Sequence, residues 1–312
     1  RQTIMAVAVA LLLSQGACFR APLGGFPSAL AHPAYRVPLQ RRPRVIRAAE
    51  SAPDAEALKR ELFDLIPSQP RGAPTTNLTA AKEAVAKIEA KAAELEPLSP
   101  YPRLGTKGED GSLDACAEAL EALSGPWELS YSNAPEITRL NRLPFGFRLG
   151  RVFQLVDVDR GALENQAFVG HLLGLARLHT RAVASVGLAA PGGVDRRGVA
   201  NKAENRVEVT FRKVIFSLLR FLFLPAFGLL RKAVVPRGPA ERSGKTPTLD
   251  ITYLDTEVRV SRGGDGSLFV LRRPGPGKAG ALPMLSDEGL GGVDKGSTYD
   301  ATQDFLPKRA SA

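Results

Sequence analysis

The feature that most constrains the fold is a series of short segments over residues 125–273 in which apolar and polar side chains alternate. In residues 207–211 every second side chain is apolar, as in a strand with one buried face. Turn residues separate the segments, and the run Gly263-Gly264-Asp265-Gly266 supplies the positive φ angles of a tight hairpin. The pattern predicts an antiparallel sandwich or barrel with strands at residues 127–131, 152–158, 163–168, 178–186, 206–213, 249–254, 257–262 and 267–272.

A helical section, residues 51–123, precedes the strands. Asp54 and Glu56 lie in the first turn of a helix predicted at 51–66, where negative charge stabilises the helix dipole. A second helix is predicted at 76–95 from its apolar edge, and a third, shorter helix at 113–123. We therefore expect one mainly β domain over residues 51–273. Its first section, residues 51–123, contains two or three helices, and the strands occupy residues 125–273.

Residues 1–50 have the composition of a targeting leader. The apolar run at 4–13 is too short to span a bilayer, which takes about 20 residues, and matches the core of a signal peptide. The predicted signal-like part covers residues 4–18, and the transit-like part, residues 19–49, is rich in Arg, Pro and Ala and has no acidic residue. This combination resembles the bipartite leaders of plastids acquired by secondary endosymbiosis. The alternatives are a secretory signal followed by a disordered basic segment, or a mitochondrial leader.

The net charge of +10 is concentrated in this leader, which has seven arginines and one acidic residue. The other 262 residues carry 35 basic and 31 acidic side chains, so a nucleic-acid partner is not expected. Of the two cysteines, Cys18 lies in the leader, which leaves Cys116 without a partner for an intrachain disulfide. Residues 274–312 are rich in Gly and Pro, and this tail is predicted to be disordered.

Searches for catalytic and metal-binding patterns find nothing convincing. His171 and His179 have no Glu-x-x-His motif or paired cysteines near them, and no G-x-S-x-G elbow is present. The carboxyl groups of Asp250, Asp255 and Glu257 are interpreted as turn-forming and arginine-pairing groups rather than as an acid/base pair. The sequence therefore predicts no catalytic residues, no metal site and no cofactor.

Three stretches together resemble the plastid lipid-associated protein family, also called fibrillins. They are residues 65–95 with Arg71-Gly72, residues 123–133 with Gly125-Pro126-Trp127, and residues 249–263, which continue through Gly266 to Leu271. The resemblance implies a lipocalin-like β-barrel, residence in a plastid at thylakoids or plastid lipid droplets, and handling of lipids, carotenoids or quinones. It implies no catalytic residue. The apolar segment at 214–248 departs from the family pattern.

The ligand-binding candidates lie on the predicted strands. The resemblance to lipocalin-like barrels implies that Trp127 closes one end of the barrel, with Arg259 or Arg262 stacked on its ring. Inward apolar side chains could line a cavity, because a barrel of about eight strands has room for one small ligand; the alternative is plain core packing. The candidate ligand contacts are Trp127, Tyr131, Phe211, Tyr253 and Arg259.

Residues 214–235 form the most apolar part of the body and are interrupted by cationic side chains and Pro225. An interfacial segment fits this composition, with Phe and Leu in the acyl boundary and Arg at anionic head groups. The alternative is a flap folded over the barrel. The candidate membrane contacts are Phe216, Arg220, Phe221, Phe223, Phe227 and Arg231.

Three functions follow from these expectations. The first is a non-enzymatic plastid protein that binds or organises lipids or isoprenoids (carotenoid, quinone or galactolipid) at a peripheral membrane or lipid-droplet surface. The second is a structural coat or scaffold with a solid barrel and no ligand. The third, an enzyme that modifies a lipid, would need two titratable groups that face a cavity.

Overall fold

The computed structural model describes residues 53–222, 224–225, 231–234, 247–275 and 284. The predicted leader, the rest of the tail beyond residue 275 and parts of the 214–248 segment lie outside these residues. No helix among the described residues is long and apolar enough to cross a membrane.

The helices of the described chain lie before the first long strand or directly after it. They are α1 (Pro53–Asp64), α2 (Lys82–Leu95), α3 (Ala117–Leu123) and α4 (Pro135–Leu140), with short 3-10 turns at Pro70–Gly72 and Glu96–Leu98.

Helix α2 begins later than the apolar pattern predicts. Thr76 pairs with Ser132 in a short parallel strand, and the Thr76 carbonyl accepts hydrogen bonds from the backbone N–H groups of Thr79 and Ala80. The chain therefore makes a turn before the helix can start. Helix α3 is likewise shorter than predicted, because Leu113–Ala115 forms a strand.

One large sheet contains most of the strands. They are β1 (Thr75–Thr76), β4 (Gly125–Ser132), β5 (Phe147–Asp157), β6 (Ala162–His171), β7 (Ala176–Leu188), β8 (Arg206–Phe221), β9 (Leu224–Pro225), β10 (Arg231–Val234), β11 (Thr248–Leu254), β12 (Val258–Gly263) and β13 (Leu268–Arg272). A separate small pair consists of β2 (Gly105–Lys107) and β3 (Leu113–Ala115).

The large sheet closes on itself. The pairing order runs β4-β13-β12-β11-β8-β7-β6-β5, and β5 pairs again with β4. All these neighbours are antiparallel. Eight strands therefore form a continuous ring of hydrogen-bonded neighbours, with one face turned inward and the other outward.

The apolar segment that begins at Val214 is not a separate surface element over its described part. Residues 214–221 are the second half of β8 and pair with β7 on one side. Strand β10 folds back and pairs with residues 214–217 on the other side. Strand β8 is therefore longer than the predicted strand at 206–213, and its second half is part of the sheet.

Two buried apolar clusters occupy the two faces of the sheet. The outer cluster joins α1 and α2 to one region of the ring and contains Ala55, Leu62, Ile88, Ala92, Leu95, Tyr131, Tyr253, Val258, Val260, Leu268 and Val270. The inner cluster fills part of the interior and includes α3 side chains. Its members include Ala119, Ala122, Leu123, Trp127, Leu129, Val152, Leu163, Ala167, Val209, Ile251, Leu254 and Leu271.

Candidate functional site

A cavity of about 120 Å³ lies within the ring of strands. Side chains from all eight strands of the ring line it, because antiparallel pairing brings the inward positions of neighbouring strands to the same level. Its apolar lining includes Leu129, Val152, Leu163, Ala167, Ala182, Val209, Phe211, Leu249, Phe269 and Leu271. Its polar lining includes Gln154, Asn165, Thr180, Thr248 and Arg259.

Trp127 and Arg273 close one end of the interior. Trp127 is fully buried, and its Nε1–H donates a hydrogen bond of 2.8 Å to the Leu123 carbonyl at the end of α3. The guanidinium carbon of Arg273 lies 3.8 Å from the centroid of the Trp127 ring. Arg273 also donates to the carbonyls of Pro126 and Ala122, at 3.1 Å and 2.6 Å. Trp127 is therefore buried as a plug would be, and Arg273 holds its ring in place.

The sequence analysis did not name Arg273, although it follows the last strand directly. Of the two arginines expected to stack on Trp127, only Arg259 lies on the same face of the sheet as the ring. Arg259 points inward, with its guanidinium carbon 5.1 Å from the Trp127 centroid. Arg262 lies on the outer face and pairs with Glu96 and Glu89 of the helical section, at 2.6 Å and 3.4 Å.

Arg259 is the deepest charged group of the cavity. Its side chain is 1% exposed, and one of its terminal nitrogens donates a hydrogen bond to Gln154 Oε1. Gln154 in turn donates to Asn165 Oδ1 at 2.9 Å. Burial, together with the nearby positive charge of Arg273, lowers the pKa of Arg259 to about 9. The arrangement is a buried cation held by neutral amides.

The other ligand candidates are divided between the two faces. Phe211 lines the cavity, in agreement with its predicted inward direction. Tyr131 and Tyr253 lie in the outer cluster, against α1 and α2, and are not part of the cavity lining. Burial, with a contribution from the charge of Glu89, raises the pKa of Tyr131 to about 12.

Local breaks in strand register explain where the tyrosines lie. Leu129 pairs with Leu271 and Tyr131 with Val270, so Ser130 is an extra residue in β4. Because opposite residues point to the same face, this bulge turns Tyr131 outward while Leu129 stays inward. A shift between Ile251 and Tyr253 in β11 has the same effect on Tyr253.

The predicted membrane-contact residues also have different positions. Phe216 is only 7% exposed and belongs to the buried part of β8, so it is not available for contact with a lipid surface. Phe221 is 56% exposed, and the nearby Arg220 Nε–H donates to the Leu222 carbonyl at 3.0 Å. Arg231 pairs through its backbone with Ser217. The side chain of Arg231, and Phe223 and Phe227 altogether, lie outside the described residues.

The turns joined to the segment of Phe221 also carry exposed apolar side chains. The turn between β6 and β7 contacts both flanking segments, because Leu172 N–H donates to Gly146 O at 2.8 Å and Leu222 N–H donates to Leu175 O at 2.6 Å. We call this surface the apolar rim; it consists of Phe145, Leu172, Leu173, Leu175, Phe221, Leu222 and Leu224, each at least 39% exposed. Sequence analysis missed its β6–β7 part, although a turn rich in leucine is itself an unusual signal.

Arginines lie beside the apolar rim. Arg71 donates to the carbonyls of Gly170, His171 and Leu172, and so joins the first 3-10 turn to the β6–β7 turn. Burial, with the charges of Arg220 and Arg71, lowers the pKa of Arg177. Arg71, Arg151, His171 and Arg177 line a second cavity of about 340 Å³, whose lining contains no acidic side chain. The rim thus combines exposed apolar surface with positive charge.

Two carboxyl groups, those of Glu136 and Asp265, line the first cavity close to the protein surface. The exposed side chains of Arg196 and Asp265 belong to the lining, so the cavity reaches the surface there. Burial raises the pKa of Glu136 to about 7, and the charge of Asp265 adds to the effect. Asp265 accepts a hydrogen bond from Ser267 N–H at 3.0 Å within its own turn. Asp265 therefore shapes its own turn, and both carboxyl groups belong to the cavity lining.

Metal chelation finds no support in the described part of the chain. No group of three or more His, Cys, Asp or Glu side chains lies close enough there to hold a metal ion.

Comparisons with known proteins identify the family of this chain. The family model PAP_fibrillin matches residues 56–272. Similar curated proteins include "Probable plastid-lipid-associated protein 2, chloroplastic" of Arabidopsis thaliana, 26% identical over 73% of this chain and 74% of that protein. "Light-induced protein, chloroplastic" of Solanum tuberosum is 26% identical over 76% and 74%, and "Plastoglobulin-1, chloroplastic" of Pisum sativum is 27% identical over 73% and 66%.

No solved structure matches the chain at a significant level. The family model covers well over half of the 312 residues, and the curated relatives carry chloroplast and plastid-lipid names. The chain therefore belongs to the PAP_fibrillin family of plastid lipid-associated proteins.

Proposed function

We propose that this protein is a non-enzymatic plastid protein that binds part of a lipid or isoprenoid, such as a carotenoid, quinone or galactolipid, inside a lipocalin-like barrel. The observation that carries the proposal is the cavity within the closed ring of strands, with apolar walls and a few polar groups at its inner part. Ligand sites are typically apolar pockets with a small number of oriented polar groups. The chloroplast names of the relatives support a plastid location.

The proposal includes the predicted bipartite leader and a secondary plastid. Both depend on residues 1–50, which lie outside the described part of the chain.

The size of the cavity restricts what can enter. Its volume of about 120 Å³ is smaller than that of a typical site for a drug-sized ligand, roughly 300–1,000 Å³. A ring or the first part of an acyl chain fits, and the remainder of a long lipid stays outside. Burying about 150 Å² of ligand apolar surface would contribute about 4 kcal/mol. The bound molecule therefore stays partly in a lipid phase, which agrees with a protein that works at a lipid surface.

Solvent extraction of the protein, purified gently from native plastid membranes, tests this function. We expect a prenyl-quinone, carotenoid or galactolipid in the extract at a constant ratio to protein. Ala167→Phe should fill the cavity and reduce this ratio, whereas Leu113→Phe, on an exposed strand outside the sheet, should leave it unchanged. An empty extract from the native protein would overturn the ligand-binding function.

A second candidate function, a coat or scaffold on a lipid surface, is supported by the apolar rim. Soluble proteins rarely expose a contiguous group of large apolar side chains unless it meets a partner or a membrane. Arg71 and Arg177 beside the rim favour an anionic lipid surface, because each basic residue near such a surface adds about 1 kcal/mol of attraction. The two functions are compatible, since the rim can hold the protein at the lipid from which the cavity takes its ligand.

Vesicle flotation tests the role of the rim. Leu173 and Leu224 are 76% and 73% exposed, and we expect Leu173→Glu with Leu224→Glu to abolish flotation on galactolipid vesicles that contain phosphatidylglycerol. The control Leu113→Glu changes a 47% exposed leucine on β3 and should float normally. If the double variant floats as well as the control, the rim is not the docking surface.

A further inference from the structure

The side chain of Arg259 enters the interior of the sheet from β12. The register pairs Arg259 with Leu271 on one side and Leu254 on the other, and both leucines belong to the inner cluster. Opposite residues in antiparallel strands point to the same face, so the direction of Arg259 follows from the pairing. The residue lines the cavity and is 1% exposed.

The groups around Arg259 do not balance its charge. Gln154 and Trp127 are its neutral neighbours, and Arg273, the charged group that acts on its pKa, has the same sign. Within the described residues, no carboxylate bonds this guanidinium, and its Nε–H has no hydrogen-bond partner. Buried charges are normally paired, because an unpaired ion loses its hydration without compensation.

One other buried arginine of the same sheet, Arg206, and one partly buried arginine, Arg262, follow that rule. Arg206, also 1% exposed, forms a bidentate pair with Asp250 at 2.5 Å and 2.8 Å and lies 3.6 Å from Asp195. Arg262, three residues after Arg259 on the same strand, pairs with two glutamates. The chain therefore supplies acidic partners where an arginine is only structural, and Arg259 differs from these residues.

A purely structural role at Trp127 does not account for Arg259. Arg273 already lies closer to the ring and fastens it through two carbonyl hydrogen bonds. Arg273 therefore supplies the cation that holds Trp127 at this end of the interior, and Arg259 is not needed for it. Arg259 instead faces a cavity in which Thr180 Oγ1 and Thr248 Oγ1 are also buried without a hydrogen-bond partner in the described structure.

We propose that Arg259 binds the carboxylate of a long-chain carboxylic acid, whose chain lies along Val209, Phe211 and Phe269. Gln154 and Asn165 hold the guanidinium in place, and the hydroxyl of Thr180 can donate to the acid. The inference rests on the proposed function and makes the ligand an anionic lipid in place of the uncharged examples named there. A charge-assisted pair in a water-poor interior is stronger than a neutral hydrogen bond, so the acid is preferred over a neutral lipid of equal length.

The sole tryptophan makes this site observable. Trp127 is the only tryptophan of the chain, and it lies against Arg259. A ligand head group at Arg259 should change the fluorescence of Trp127. This signal reports on the interior of the ring and not on the apolar rim. Dodecanoate, dodecanol and methyl dodecanoate are suitable probes, because they differ only in the head group.

We expect dodecanoate to bind about tenfold or more tightly than dodecanol to the wild-type protein, as titrated by Trp127 fluorescence and by calorimetry. Arg259→Gln should remove this preference while dodecanol binding persists. Arg259→Lys keeps a positive charge and should retain part of the preference, which also guards against a failure of the Gln variant to fold. The control Arg272→Gln changes a half-exposed arginine on the adjacent strand and should behave as wild type.

Equal binding of acid and alcohol to the wild type would overturn the inference and leave the proposed function intact. An unchanged preference in folded Arg259→Gln would also overturn it. Failure of every probe to bind, together with an empty solvent extract from native membranes, would overturn the proposed function itself.

Discussion

The hydroxyl groups of Tyr131 and Tyr253 lie in the same outer cluster but have different surroundings. Tyr253 Oη donates to Asp255 Oδ2 at 2.7 Å. The Tyr131 hydroxyl is buried without a hydrogen-bond partner among the described residues. A buried polar group without a partner costs free energy, whereas a hydrogen bond to a charged group stabilises the folded state.

Removal of each hydroxyl should therefore have a different effect on stability. Tyr253→Phe should lower the free energy of unfolding by about 2 kcal/mol, since it takes a donor from an ionised carboxylate. Tyr131→Phe should leave that free energy unchanged or raise it by up to about 1 kcal/mol. Urea unfolding followed by circular dichroism compares the two variants. Equal losses in both would mean that the Tyr131 hydroxyl has a partner in solution.

Helix α1 is attached to the sheet by a buried ion pair. Lys59, which is 5% exposed, donates to Asp255 Oδ2 at 2.7 Å across the α1–sheet contact. Asp255 also accepts hydrogen bonds from the backbone N–H groups of Glu257 and Val258, at 2.7 Å and 2.6 Å, and so shapes the turn between β11 and β12. Burial opposes ionisation of Asp255, but these donors outweigh it and hold its pKa below the usual value.

The position of this pair predicts a large effect of Lys59→Met. The substitution leaves a buried carboxylate without its cation, and we expect the free energy of unfolding to fall by about 3 kcal/mol at neutral pH. Lys91→Met, which removes a more exposed lysine between α1 and α2, should have a much smaller effect. Comparable losses for Lys59→Met and Lys91→Met in urea titrations would contradict the assigned role of the buried pair.

The depressed pKa of Asp255 also predicts a pH dependence. Its stabilising contribution is fully present above the unfolded-state pKa, about 3.9, and is lost as pH falls through the lower folded-state value. As pH falls below about 4, wild-type stability should therefore fall more steeply than that of Asp255→Asn. Parallel curves for the two proteins would show that Asp255 is not the group that titrates.

The whole molecule depends on contacts between distant parts of the sequence. Strand β4 pairs with β5, the next long strand, and also with β13, the last strand of the sheet. The ring therefore closes only when the two ends of the β-rich section meet. The cavity exists because of this closure, since its lining includes residues from β4, β8 and β13. A single missing pairing would open the interior to water.

Sequence reasoning accounts for the elements and for part of the site. Strand alternation, turn residues and helix periodicity are local properties, and they placed the eight strands of the ring and α1 to α3 near their observed positions, but not α4 or the second half of β8. The face that Phe211 shares with Val209 followed from the same local pattern, whereas the plug expected at Trp127 came from the resemblance to lipocalin-like barrels. The late start of α2 was missed because pairing of Thr76 with Ser132 is a long-range contact.

The sequence by itself determined the order of the elements, their alternating faces and the resemblance to the family, because each depends on neighbouring residues. Only the tertiary structure decided that bulges at Ser130 and Thr252 turn Tyr131 and Tyr253 outward, since a bulge is defined by the partner strand. It also decided that Arg273 fastens Trp127 and leaves Arg259 facing the cavity. Register and closure set these positions, and both arise from pairings between residues far apart in the chain.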